Sequence, residues 1–406
     1  MNKYCMVLQK KLSVPFFVML ISCLLIVLGA LRNIVTPLGY WALWACIACI
    51  GTVNVVRAFG LPDYKIIKIM TGGFALLILG LLVAGYANQD NNSYYQGAKF
   101  FCIYCVFVIV FVNAKQVSGE RILMISRLSV ALAFLVFVAC KFIFKDYYVV
   151  LGDGREGSQY ADPGVLWRSA VFFVGFILTN GLVKGRFNAV DFAIVLMSIY
   201  ILFADSSRTG FLLFSILCLI LIVKKYKTTS AKVSWSFLVS VCLGLVALMG
   251  LAYLVDFAIF DRLFTVDNTR LQMLADGVSN LKGCYLFGCG FGDSSSLVFG
   301  KPMVVHNAYL AALADLGVLG FCGLVILMVA PLVIYASRRN VACQNDKNPE
   351  MSFVAMLGVA GYGLTMMLHS LSSELSEWGI WIVMVSWQFS LSAPATAFTT
   401  RKAIVE

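Results

Sequence analysis

Apolar runs of about 17 to 23 residues recur along this chain, the length a helix needs to cross a hydrocarbon core about 30 Å thick. Only 13% of its 406 residues are charged and 61% are hydrophobic. A water-soluble domain of that size needs roughly twice the charge. The chain therefore reads as a polytopic membrane protein. Runs such as 211–223 have no period of two, which excludes a transmembrane β-barrel and leaves helices. Spans are predicted near 15–31, 40–56, 70–87, 98–113, 122–144, 165–183, 191–206, 211–223, 234–255, 316–336, 351–368 and 379–397.

A formal net charge of +11 invites a nucleic-acid reading, so the location of the basic residues decides the matter. Most of them, including Lys10, Lys11, Lys65, Lys68, Lys224, Lys225, Arg338 and Arg339, fall in loops that alternate counting puts on one side. By the positive-inside rule that side is cytoplasmic, with both termini. The charge sets topology and implies no nucleic-acid partner. Residues 1–255 then form the first nine helices, 256–315 an outward loop, and 316–406 the last three. The stretch 3–31 resembles a signal peptide, but its apolar run is long and no small-residue cleavage site comes after it, so it reads as the first anchor.

Most of the 13 cysteines lie inside spans. Cys46 with Cys49 and Cys102 with Cys105 have ligand-like spacing, yet in lipid-embedded helices they read as packing residues. Cys284 and Cys289 fall in the outward loop, where a disulfide is chemically allowed.

Chemistry gathers in 256–320. Leu271, Leu274, Val278 and Leu281 recur at helical spacing, predicting an amphipathic helix over 270–282 with caps at 267–269 and a stop at Gly283. Arg270 then stands in its first turn, where open backbone N–H groups already favour an anion. Gly288, Gly290 and Gly292 lack the strand-to-helix context of a nucleotide fingerprint and read as a tight turn. His306 opens a helix-like run over 307–316. Its imidazole can take a proton from a sugar hydroxyl near neutral pH, although surface histidines are commonly plain hydrogen-bonding residues. One nearby histidine without matched cysteines argues against zinc.

Other candidates lie outside that stretch. Arg208 sits between two apolar runs with almost no loop, a depth at which a cation needs an anionic partner. Asp205 is one choice; a ligand phosphate, gripped bidentately, is the preferred one. Arg155, in a polar outward loop over 145–164, reads as a solvated charge or as a contact to phosphate or sugar. Arg168 reads as a snorkelling residue. Glu374 reads as a solvated loop acid that could orient a sugar, and 88–93 reads as a solvated turn.

Taken in order, Ser207, Arg208, Thr209 and Gly210 at an outer helix end, Asn268, Thr269, Arg270 and Leu271 opening a helix, the glycine-rich turn, and His306 and Asn307 followed by nine residues and then Gly317 and Gly320 resemble the O-antigen ligase and O-antigen polymerase superfamily of bacterial inner membranes. The resemblance implies an all-α, GT-C-like membrane protein of about 12 transmembrane helices, with one long periplasmic loop carrying short helices. It also implies a metal-independent, cofactor-free inverting glycosyltransferase acting on glycan linked to undecaprenyl diphosphate. Carried over, Arg208 and Arg270 bind the diphosphate and His306 activates the acceptor hydroxyl. Asn307, Arg155 and Glu374 join them as candidate contacts to diphosphate or sugar.

The acceptor is a second lipid-linked repeat for a polymerase, or lipid A-core for a ligase. The outward loop is short for a ligase, which favours polymerase. A flippase is the alternative of another class. It is disfavoured because no internal halves are visible and the polar residues gather outward rather than at the midplane. A chain-length regulator and the oligomeric state stay open.

Overall fold

The computed structural model describes residues 14–27, 36, 38–42, 45–46, 49–50, 64–185, 187–228, 268–293, 295–298, 301–342 and 348–392. The expected span at 234–255, much of that at 40–56, and the polar residues 256–267 lie outside them. The described helices are α1 (Val14–Val27), α2 (Tyr64–Asn88), α3 (Asn91–Ala114), α4 (Gly119–Phe142), α5 (Leu166–Lys184), α6 (Ala189–Asp205), α7 (Arg208–Thr228), α8 (Asn268–Cys284), α9 (Ala308–Ala342), α10 (Pro349–Thr365) and α11 (Leu375–Leu391). Among the described residues, five helices are long and apolar enough to cross a membrane: Lys65–Asn88, Asn91–Ala114, Gly119–Phe142, Leu166–Lys184 and Ala308–Ser337. This is an all-α membrane protein.

Among the described residues, two antiparallel hairpins accompany the helices, β1 (Tyr148–Val150) with β2 (Glu156–Ser158), and β3 (Ser295–Val298) with β4 (Lys301–Val304). Sequence reasoning placed only short helices in the second of these loops. Strands of three and four residues are too brief for alternation to show.

The chain divides into two compact units. One contains α2, α3, α8, the β3–β4 hairpin and α9 to α11. Its central contact is a glycine seam between α2 and α9. A Cβ on Gly80 would stand 2.6 Å from the Gly320 nitrogen, and one on Gly323 would stand 2.6 Å from Gly73 O and Leu77 N. Only bare backbone permits that approach, the way small residues bring membrane helices together. Beside the seam, Phe74 of α2, Phe107 of α3 and Trp378 and Trp381 of α11 pack their rings at centroid distances of 5.7 to 6.1 Å. Polar bonds tie the helices at points where hydrocarbon offers no partner: Gln388 Nε2 donates to Pro331 O at 2.9 Å and Ser390 Oγ to Ala114 O at 2.6 Å.

α9 is two helices joined at Gly317, whose φ of 66° and ψ of −170° break the helical path. The expected short helix over 307–316 and the span after it are both present, and the glycine is what separates them.

The other unit contains α4 (from Glu120), β1–β2 and α5 to α7. Arg127 of α4 pairs with Asp191 of α6 at 2.7 Å, and Asn188 caps α6 by accepting from the Asp191 amide at 2.6 Å. Lys141 at the end of α4 pairs with Glu156 of β2 at 2.5 Å.

Candidate active site

α8 begins at Asn268, so Arg270 occupies the first turn as expected, half-buried. The leucine stripe is not the buried face of this helix. Leu271, Leu274 and Val278 are exposed, while Met273 and Gly277 are buried. Gly277 decides this: a Cβ there would come within 2.9 Å of Leu310 and 3.0 Å of Val305, so the helix presses its smallest residue against the start of α9. A leucine stripe need not enter the protein core in a chain that meets lipid. Val305 precedes His306, and Arg270 lies seven residues from Gly277, about 10 Å along the axis.

His306 is half-buried. Its Nδ1 lies 2.9 Å from Val304 O. A carbonyl only accepts, so Nδ1 carries a proton, and in the neutral ring Nε2 is the nitrogen with the lone pair. Asn307 caps α9: its Oδ1 accepts from the amides of Tyr309 at 3.1 Å and Leu310 at 3.0 Å, leaving its amide nitrogen as the donor. The Ala308 amide donates to Met366 O at 2.8 Å and the Tyr309 hydroxyl to Gly363 O at 2.9 Å, pinning this joint to α10.

The glycine-rich turn is tight and close-packed, as expected. Gly288, Gly290 and Gly292 have φ of 79°, 111° and 87°, values that favour glycine. Cys289 N donates to Ala314 O at 2.9 Å and Gly290 N to Asp315 O at 3.1 Å, while Gly292 N reaches the Asp315 carboxylate at 2.9 Å. Cys284 and Cys289 form a disulfide between the end of α8 and this turn. The turn is also held by 88–93, which corrects the reading of that segment as merely solvated. Asn88 Nδ2 donates to Gly288 O at 3.0 Å, Asn92 Nδ2 to Phe291 O at 2.9 Å, and the Phe291 amide to Ser93 Oγ at 2.9 Å.

Asp90 caps α3 through the amides of Asn92 and Ser93. Burial pushes its carboxyl up, but the Ser93 hydroxyl and the amides of Asn92, Ser93 and Phe291 outweigh that and hold it below the usual value. Asp293 across the turn is pushed up, first by burial and then by the charge of Asp90.

Glu374 is no solvated loop acid. It pairs with Lys99 at 2.9 Å, both side chains largely covered, and the ammonium also lies 4.6 Å from the Trp41 ring centre.

Arg208, Arg155 and Arg168 belong to the second unit. Arg208 is the first residue of α7, half-buried, and Ser207 Oγ caps that helix by accepting from the Gly210 amide at 3.2 Å. Asp205 turns to α5, accepting from the amides of Gly164 at 2.6 Å and Trp167 at 2.7 Å. Arg155 is held by Asp153 at 3.0 Å and lies against Gly164. Arg168 is only 6% exposed and shares the field of Asp205 with Arg155, which rules out snorkelling to solvent. Sequence reasoning passed over Lys99 and Asp315 as supports; each is a lone charge inside an apolar run, which is the signal that marks them.

Among the described residues, no group of three or more His, Cys, Asp or Glu side chains could hold a metal ion. Set beside known proteins, one segment finds a family. Residues 192–325 match the model of the family described as O-antigen ligase. That match supports the O-antigen polymerase and ligase superfamily. It covers about a third of the chain and contains Arg208, Arg270, His306 and Asn307, while Arg155 and Glu374 fall outside it. The family indicates a glycosyltransferase-like enzyme of ligase or polymerase type and gives no support to a flippase. No curated protein matches the chain.

Proposed function

We propose that this protein is a metal-independent, inverting glycosyltransferase of the bacterial inner membrane, acting at the periplasmic face on glycan linked to undecaprenyl diphosphate, and that it joins O-antigen repeats as a polymerase. The observation that carries the reading is the His306 ring, whose Nδ1 is committed to Val304 O so that Nε2 offers a lone pair beside the helix bearing Arg270.

In the step proposed, Nε2 of His306 takes the proton of the acceptor hydroxyl as its oxygen attacks the anomeric carbon. The bond from that carbon to the diphosphate oxygen breaks, and the lipid diphosphate leaves with the electron pair, inverting the centre. Arg270 and Arg208 counter the charge that gathers on the leaving group, the role a divalent cation would otherwise fill. Arg270 has the open amides of a first helical turn beside it. The Asn307 amide nitrogen, Arg155 and Glu374 are the further candidate contacts for sugar or diphosphate.

The acceptor separates polymerase from ligase. Lipopolysaccharide from a deletion strain, run on one gel, tests the choice: core bearing a single repeat is expected. Bare core with long lipid-linked chains accumulating would make the protein a ligase instead.

A further inference from the structure

Asp205 ends α6 fully buried, and the proposed reaction gives it no task. Its carboxylate does the work of a missing cap. Val165 stands at the N-cap of α5 with no side-chain oxygen to offer, and the amides of Gly164 and Trp167 take the two oxygens of Asp205 from another helix. Backbone N–H groups at a helix start are met this way at the cost of one buried charge, which Arg155 and Arg168 offset in part.

The same residue leads directly into the joint between α6 and α7. Ser206 takes a left-handed conformation at φ 51°, rare without a glycine, which turns the chain within one residue. Ser207 then caps α7, and Arg208 is its first residue. Trp167, whose amide Asp205 holds, lays its ring 3.0 Å from where a Cβ on Gly210 would be. Arg208 is thereby bracketed between the Asp205 anchor and the Trp167 contact.

We propose that Asp205 is a positioning residue for the diphosphate site, holding the α6–α7 joint on α5 so that the Arg208 guanidinium meets the donor in one fixed place. This rests on the reading of Arg208 as a diphosphate ligand. A purely structural Asp205 would affect how much protein folds; a positioning one changes the affinity of the protein that has folded.

The test uses the purified full chain in detergent, with farnesyl diphosphate as the probe, binding followed by tryptophan fluorescence and folding by thermal melting. Arg208→Ala is expected to weaken binding at least tenfold. Asp205→Asn should weaken it at least fivefold in material that still melts cooperatively. The double variant should bind no worse than Arg208→Ala alone, because both changes remove the same contact. Wild-type affinity in folded Asp205→Asn, or losses that simply add, overturns the positioning role while leaving Arg208 in place. Wild-type affinity in Arg208→Ala overturns the parent reading whatever Asp205 does. Should Asp205→Asn fail to accumulate, Asp205→Glu, which keeps the charge but shifts it by one methylene, is read by the same criteria.

Discussion

Two carboxylates on either side of the glycine-rich turn titrate in opposite directions. Asp293 is pushed up, so the folded state holds its proton more tightly than the unfolded chain does. Its contribution is present below the ordinary value of 3.8 and is lost as pH rises through the higher folded value. Asp90 is held down, so its contribution is present above 3.8 and lost as pH falls through the lower one. Where both are ionised they repel. Asp293→Asn should therefore raise the melting temperature at pH 7, with a gain that shrinks as pH drops toward 3.8; a gain independent of pH contradicts the repulsion. The Lys99–Glu374 pair gives a second expectation. Lys99→Ala leaves a largely covered carboxylate without its ammonium, at a cost of about 3 kcal/mol, and removing both partners should cost less than the two single losses summed. Chemical denaturation of the three variants measures it. The placement of Arg208 and Arg270 in the first turns of α7 and α8, and of His306 just before α9, was legible because each is a polar residue beside a helix-like run. The Lys99–Glu374 pair and the anchoring of the glycine-rich turn were not, because nothing in the local sequence shows that Glu374 will meet Lys99 or that Asn88 and Asn92 will meet the turn after α8.

Helix positions followed from apolar run length: α5 and α6 start and stop within two residues of the predicted limits, whereas α3 starts seven residues earlier than predicted and α7 ends five later. The hairpins and the buried face of α8 did not, since both depend on contacts made after the chain has folded. The α2–α9 seam and the glycine turn show how strongly such contacts bind particular residues. A Cβ on Gly288 would stand 2.3 Å from Asp315 O at a φ of 79°, whereas one on Gly72 would meet nothing within 4 Å. Gly288→Ala should cost more than about 2 kcal/mol, and Gly72→Ala should be near neutral, as an exposed helical site allows. Equal melting temperatures for the two would contradict this packing. The disulfide makes a third element-scale claim: peptide mass mapping without reductant should find Cys284 joined to Cys289, and finding both thiols free would contradict it.

For the whole molecule, contacts within the first unit join segments that the count of spans had placed on one side. Lys99, Glu374, residues 88–93 and the 288–292 turn were all assigned outward from sequence, and the structure has Lys99 meeting Glu374 and the 88–93 segment meeting the turn. The family match then falls on the segment that carries both arginines and the histidine. The central claim is a division of labour, with arginines holding the leaving diphosphate and the histidine activating the acceptor. Single-turnover transfer from an undecaprenyl-diphosphate-linked glycan by purified protein in detergent, with donor binding measured alongside, tests it most directly. The account predicts that Arg208→Ala and Arg270→Ala lose donor binding and transfer together, while His306→Ala binds donor normally and transfers none; full transfer by any of the three, at wild-type protein levels, would contradict it.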